Sequence, residues 1–313
     1  MSDVYDVVII GGGITGLSAG IYTTRAKLKT VLVERSVFGG QIINADVIEN
    51  YPGFPNGVTG IDLVTTTEEQ ASKFGLGYAF GEVTGIDVGR QPLVVRTADE
   101  EFQTRAIIVS SGGDHVKLGV PGEEELEAKG VSYCATCDGN FFTGQPVAVI
   151  GGGDSALDEG LYLTRMCEKV TVIHRRDTLR AAQVLQERAL ANPKIEFIWD
   201  TVVESINGNG KGNGNGQVGS LTLRNVKTGD QSELIASGVF IYVGFKPNSS
   251  PFQGVLDMDA GGHVKVDLMM RTNVPGVFAA GDIRWQSTRQ LANAAGDGVT
   301  AAIAAYEYLE ASG

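Results

Sequence analysis

Two cysteines separated by two residues carry the most reactive pattern in this 313-residue chain: Tyr133-Cys134-Ala135-Thr136-Cys137-Asp138-Gly139. A disulfide across such a spacing closes a small ring that is open to exchange, with thiol pKa values tuned by their surroundings. Asp138 follows the second cysteine and is placed to donate a proton to a departing thiolate, the general-acid role of dithiol chemistry. The same spacing is half of a zinc site, but zinc needs two further ligands. The remaining candidates, Cys167, His115, His174 and His263, share no ligand-like spacing, so no metal is expected. Cys167 stands alone in a helical stretch and reads as a packed, inert thiol. The candidate catalytic set is therefore Cys134, Cys137 and Asp138.

Two glycine turns frame this pair. Val7-Val8-Ile9-Ile10-Gly11-Gly12-Gly13-Ile14-Thr15-Gly16 is answered by Val147-Ala148-Val149-Ile150-Gly151-Gly152-Gly153-Asp154-Ser155-Ala156, at an offset of 140 residues. Each β-branched run ends in glycines and continues into a helical stretch, residues 17–27 and 157–167. A second apolar run follows each, residues 30–33 and 170–173. This is β-α-β written twice. Gly20/Gly160, Tyr22/Tyr162, Thr24/Thr164, Arg25/Arg165 and Lys29/Lys169 are identical at that offset. The first glycine of each turn (Gly11, Gly151) allows the tight bend. The second (Gly13, Gly153) lets backbone approach a pyrophosphate. The third position (Gly16, Ala156) must be small so that helix packs on strand. The residues that open each helix, Ile14 with Thr15 and Asp154 with Ser155, then present free N–H groups and a partial positive charge to phosphate. One glycine turn is weak evidence; two in this setting point to two dinucleotide-binding units.

The copies differ where their ligands should differ. Glu34, followed by Arg35, ends the second strand of the first unit. A carboxylate there accepts hydrogen bonds from ribose hydroxyls and would repel a 2′-phosphate, so this unit suits FAD or NAD. The second unit has His174, Arg175 and Arg176 there, with Arg180 nearby. Guanidinium groups bind phosphate through forked hydrogen bonds, which suits the 2′-phosphate of NADPH. One site of each kind implies hydride transfer from NADPH to a flavin. Near the C-terminus, residues 275–282 read as a short strand delivering Gly281 and Asp282, a placement suited to a flavin's ribityl chain and pyrimidine edge. Arg289-Gln290-Leu291 then leads into an Ala-rich helical stretch, residues 292–309. The Asn/Gly tract at 207–216 reads as a hairpin loop without chemistry.

Composition narrows the rest. A net charge of −12 argues against nucleic-acid binding, which needs a basic face. No apolar run approaches the roughly 20 residues of a membrane span, and the N-terminus has no basic segment followed by an apolar one. A cytoplasmic location is expected. Three cysteines among 313 residues do not make a disulfide-stapled secreted scaffold.

Taken together, these motifs resemble the low-molecular-weight thioredoxin reductases, members of the pyridine nucleotide–disulfide oxidoreductases. The resemblance runs from end to end. It rests on both glycine turns, Gly39-Gly40-Gln41, Ile48-Glu49-Asn50-Tyr51-Pro52-Gly53-Phe54, the Cys134/Cys137 segment, His174-Arg175-Arg176 with Arg180, and Gly281-Asp282 with Arg289-Gln290. It implies an α/β fold of two Rossmann-like, three-layer domains, with an NADPH domain (118–247) inserted into an FAD domain made of residues 1–117 and 248–313. It further implies contacts of Gly40, Gln41 and Asn50 with the flavin, Arg289 and Gln290 beside its isoalloxazine, and Cys137 as the cysteine nearer to it. A homodimer, a thioredoxin or thioredoxin-like partner, and a rotation of the inserted domain about hinges near 117–118 and 246–248 are implied as well. Two other activities keep part of this pattern. A flavin-dependent dithiol oxidase has little use for the arginine cluster, and a reductase of another thioredoxin-like or small disulfide differs only in its acceptor. The chain departs from the family pattern at Ser110-Ser111-Gly112-Gly113-Asp114-His115 and at Gly160, a mid-helix glycine that costs about 1 kcal/mol relative to alanine.

Overall fold

The computed structural model describes residues 4–312 except 44, 46, 128 and 210–215, together with the backbone but not the side chain of Cys137. Contacts divide the chain into two compact units, residues 1–114 with 246–313, and residues 115–245.

In the first unit the apolar run of the first glycine motif becomes the strand Tyr5–Ile10, in which Val7, Val8 and Ile9 are fully buried. Parallel strands Thr30–Glu34 and Glu101–Val109 flank it, and Gly77–Phe80 extends the sheet beyond Thr30–Glu34. Strands buried on both faces read as continuous apolar runs because helices or further layers cover each side. Here the helix Ile14–Arg25 packs against the C-terminal helix Leu291–Ser312. Their approach is close: a Cβ on Gly298 would fall 2.2 Å from the Thr15 carbonyl oxygen. The alanines of that helix serve the same contact, with Ala301, Ala302, Ala304 and Ala305 buried. Val277–Ala279 joins the sheet beside Glu101–Val109 and delivers Gly281 and Asp282 to the same edge as the first glycine turn. Antiparallel Val83–Asp87 and Leu93–Thr97 complete the far side.

The second unit repeats the plan. Its parallel sheet runs Ile195–Ile198, Lys169–Ile173, Pro146–Gly151, Gly238–Tyr242 and Val131–Ser132. A three-stranded antiparallel sheet, Thr201–Gly208, Val218–Asn225 and Gln231–Ile235, is added to it. The Asn/Gly tract joins the first two of these strands, which makes it the connection of a hairpin; residues 210–215 lie outside the described residues.

The chain crosses between the units twice, in the short strands Gly113–His115 and Phe245–Pro247, which pair with each other. No helix among the described residues is long and apolar enough to cross a membrane.

Candidate active site

The first glycine turn is as tight as its spacing requires. Gly11 has φ +102°, and a Cβ there would sit 2.5 Å from the Ser110 carbonyl oxygen. A Cβ on Gly16 would fall 2.0 Å from the Gly11 oxygen. Gly13 has nothing within 4 Å of its Cβ position, and it begins the helix Ile14–Arg25 without a side-chain cap. The result is an open cradle of backbone N–H groups at the positive end of a helix, which fits a dinucleotide's pyrophosphate. Gly40 borders this opening, its Cβ position 3.7 Å from Gly13 Cα.

Buried Glu34 closes the cradle: Gly12 N–H donates to its Oε2 (2.7 Å) and Ser36 N–H to its Oε1 (3.1 Å). These bonds fix the carboxylate at the end of the second strand and leave it further acceptor capacity. Arg35 pairs with Asp114 at 3.3 Å. Gln41 donates to the Gly113 carbonyl (2.9 Å), and Asn50 to the Gln290 side chain (3.1 Å). The Asn50–Gln290 bond joins two candidate flavin contacts that lie 240 positions apart.

Asp282 accepts from Ser287 (3.1 Å), and burial pushes its pKa above the ordinary carboxylate value. Arg289 occupies a left-handed backbone conformation (φ +54°), its amide held by Ser287 Oγ (3.2 Å). Its guanidinium lies 3.4 Å from the His263 ring, which Asp259 orients at 3.3 Å. Leu291 opens the C-terminal helix.

The sequence reading did not single out Asp297 or Arg284. Buried Asp297 receives the Gly281 amide (3.2 Å), Arg284 through Nε (2.5 Å) and Nη2 (3.0 Å), and Asn293 (3.1 Å). It thereby holds the turn that presents Asp282. Its sequence signal was an acid inside an otherwise Ala- and Gly-rich helix.

The second turn repeats this geometry with different chemistry. Gly151 (φ +150°) approaches the Tyr242 carbonyl, where a Cβ would be 2.5 Å away, and Gly153 has open space. The helix Asp154–Leu163 again lacks a side-chain cap at its N-cap glycine. Asp154 Oδ1 accepts from Ala182 N–H (2.6 Å), and Arg180 N–H donates to the Gly152 oxygen (2.7 Å), tying the Arg180 loop to the turn. Ser155, Arg175, Arg176 and Arg180 are exposed.

His174 behaves differently from its arginine neighbours. Its ring is buried directly under Gly152, where a Cβ would lie 2.4 Å from it, and its Nε2 contacts the Thr178 carbonyl at 3.0 Å. Burial, with the charges of Arg180, Arg176 and Arg175, holds its pKa below the usual histidine value. At neutral pH it is uncharged, so the cationic character of this edge comes from the arginines.

Cys134 is one half of a disulfide, whereas Cys167 is free and fully buried, its thiol pushed up to about 11 by burial. The side chain of Cys137 lies outside the described residues. Ser132 Oγ accepts from the Cys134 amide (3.1 Å) and Thr136 Oγ1 lies 3.4 Å from its sulfur. The short helix Ala135–Asp138 follows, closed by the Asp138 amide on the Cys134 carbonyl (3.2 Å).

Sequence reasoning missed Glu123, Glu159 and Tyr242, which support this element. Glu123 accepts from the Leu118 and Gly119 amides (2.8 and 2.6 Å) and from the Tyr133 hydroxyl (2.7 Å). Glu159 Oε2 and the Tyr242 hydroxyl both receive the Ala135 amide, at 3.1 and 3.0 Å. His115 stacks on Tyr133, with ring centroids 6.2 Å apart. No group of three His, Cys, Asp or Glu side chains suited to a metal ion is present among the described residues.

A chain with two glycine-turn nucleotide folds and a disulfide at the start of the second belongs to the class of two-dinucleotide oxidoreductases. The family model for pyridine nucleotide-disulphide oxidoreductases matches residues 5–298. Thioredoxin reductase of Bacillus subtilis is 46% identical over 98% of this chain and 95% of its own length. The crystal structure of Lactococcus lactis thioredoxin reductase, also 46% identical, superposes with a TM-score of 0.94 over 98% of this chain and 99% of that one. The T. acidophilum enzyme, at 32% identity, gives 0.91 over 97% and 98%. This chain belongs to the pyridine nucleotide-disulphide oxidoreductase family, in its low-molecular-weight thioredoxin reductase branch.

Proposed function

We propose that this protein uses NADPH to reduce the disulfide of thioredoxin or a thioredoxin-like protein, through FAD in the first unit and the Cys134/Cys137 pair in the second. The observation that carries this reading is the opposition between the two turns. A fixed carboxylate, Glu34, stands at the ribose position of one, and three exposed arginines surround the other. FAD, when bound, supplies a two-electron relay between a nicotinamide and a disulfide.

The chain's own residues do the rest. The Gly11–Gly13 backbone and the start of the following helix would hold the FAD pyrophosphate, and Glu34 its adenosine ribose. Gly40, Gln41, Asn50, Asp282, Arg289 and Gln290 would line the flavin end. The Gly151–Gly153 backbone with Arg175, Arg176 and Arg180 would hold NADPH. Asp138 would give a proton to the thiolate released when the disulfide opens.

Cys134 and the second glycine turn belong to the same unit, so one flavin is served by them in alternation. The paired strands Gly113–His115 and Phe245–Pro247 are the proposed hinge. A homodimer in the cytoplasm completes the proposal.

Anaerobic addition of NADPH should bleach the flavin rapidly, and thioredoxin should then accelerate NADPH oxidation. Cys134→Ser and Cys137→Ser should abolish thioredoxin reduction while flavin bleaching persists. A flavin inert to NADPH but reduced by dithiols would instead identify a dithiol oxidase. A purified protein that cannot be reconstituted with flavin would remove the relay and the proposal with it.

A further inference from the structure

Glu159 lies on the helix Asp154–Leu163, at the repeat position occupied by fully buried Ala19 in the first unit. An apolar position in one copy is thus a carboxylic acid in the other. Its surroundings are specific to the redox element. Oε2 accepts from the Ala135 amide, one residue after disulfide-bonded Cys134, at 3.1 Å. The carboxylate also accepts a backbone hydrogen bond from Thr136 and one from the Tyr242 hydroxyl.

The charged and titratable groups next to it are Asp158, adjoining it on its own helix, and Tyr242, which ends the strand Gly238–Tyr242. Asp138, on the cysteine helix, acts in turn on Tyr242. His115 faces Tyr242 edge-on at 6.4 Å. Burial first, and then the charge of Asp158, push the Glu159 pKa up to about 7. A carboxylic acid that titrates near neutrality therefore sits against the backbone of the residue that follows a redox cysteine.

We propose that Glu159 is a positioning residue of the redox centre and binds a proton when the Cys134/Cys137 disulfide is reduced. Reduction breaks the S–S bond with two electrons, one sulfur leaves as a thiol with one proton, and the other remains a thiolate. That new negative charge raises the affinity of the nearby carboxylate for a proton, and Glu159 takes up the second one. Two electrons and two protons are consumed per disulfide. The electrons come from reduced flavin in turnover, or from dithiothreitol in the test below. This inference rests on the reading of Cys134 and Cys137 as the redox pair.

The test is the equilibrium between the flavin-loaded protein and dithiothreitol, read by thiol trapping and mass spectrometry from pH 5.5 to 8.5, for wild type and Glu159→Gln. Above pH 7 oxidised wild type has lost the Glu159 proton and the reduced form keeps it. Its reduction therefore takes up one more proton than that of the variant, and rising pH opposes it. The ratio of the wild-type to the variant reduction constant should be flat below pH 6 and fall at least threefold by pH 8.5. A ratio constant across the range would overturn the proposal. If Glu159→Gln does not fold, Tyr242→Phe carries the test. Loss of its hydrogen bond to the carboxylate should move the inflection to higher pH, and an unmoved inflection would be equally fatal. NADPH-dependent thioredoxin reduction by wild type, run in parallel, separates the two questions. Failure there with the ratio still falling counts against the thioredoxin reading alone.

Discussion

The two glycine turns share one backbone plan and solve its tightest contact in opposite ways. In the first, the residue ending the second strand is Glu34, and the Gly12 amide donates to it at 2.7 Å. In the second the equivalent residue is His174, just past the strand Lys169–Ile173, whose ring fills the space over Gly152 and bonds elsewhere, to Thr178. The helix contact differs too. A Cβ at Gly16 would collide with the Gly11 oxygen at 2.0 Å, whereas Ala156 already carries a Cβ at the equivalent place. The comparison teaches that a repeated motif specifies path, while single residues at the strand end and the helix face specify hydrogen bonding and packing.

The sharpest way to break the equivalence is to exchange the small residues. Gly16→Ala should destabilise the first unit by about 3 kcal/mol, the cost of overpacking a rigid backbone contact, and release its flavin. Ala156→Gly should cost only about 1 kcal/mol. Denaturant titration and flavin content after gel filtration check both.

Next in size is the ligand contrast. Replacing Arg175, Arg176 and Arg180 together with alanine should raise KM for NADPH roughly 100-fold with little effect on NADH, as expected for lost charge-assisted bonds to a 2′-phosphate. A parallel rise for NADH would show that the cluster does not read that phosphate.

The Ala19/Glu159 contrast predicts a pH-dependent stability difference. The Glu159 pKa is raised from an ordinary 4.5 to about 7 in the folded protein, so the folded state holds a proton that the unfolded chain has lost between those values. Stability contributed by this group falls as pH rises through that window, and the deficit persists above it. Glu159→Gln should therefore stabilise the protein by about 1 to 3 kcal/mol at pH 8 and hardly at all at pH 4. Melting temperatures at the two pH values decide this.

The smallest expected effect separates two identical glycines. A Cβ on Gly160 would meet nothing closer than 3.9 Å, but one on Gly20 would come within 2.5 Å of Leu76 Cδ2. Gly160→Ala should gain about 0.5 to 1 kcal/mol from helix propensity. Gly20→Ala should lose that gain to displacement of Leu76, and equal effects at both sites would contradict the packing described here.

Much of this molecule was legible in its sequence because the informative contacts are local. A tight turn needs glycine at fixed spacing, a buried parallel strand needs consecutive β-branched residues, and a helix begins where both end. Those rules located both nucleotide folds, and the α/β architecture with parallel sheets follows from them. The cysteine spacing likewise marked Cys134 as a candidate for disulfide chemistry, and it is disulfide-bonded.

The supporting residues were not legible, because nothing near them in the chain indicates their partners. Glu159 reaches Ala135 across 24 positions and Tyr242 reaches the same amide across 107. Asp297 reaches back 16 positions to the Gly281 amide that it holds. His174 belonged to a cationic cluster by its neighbours, yet its burial under Gly152 makes it a neutral packing group.

The sequence by itself determined where the backbone must turn, where it must be covered, and which side chains could exchange electrons or bind phosphate. Tertiary structure alone decided which carboxylates are buried, which amides they hold and which ring loses its charge. Those properties depend on desolvation and on the direction of hydrogen bonds between distant segments, and neither exists until the chain has folded.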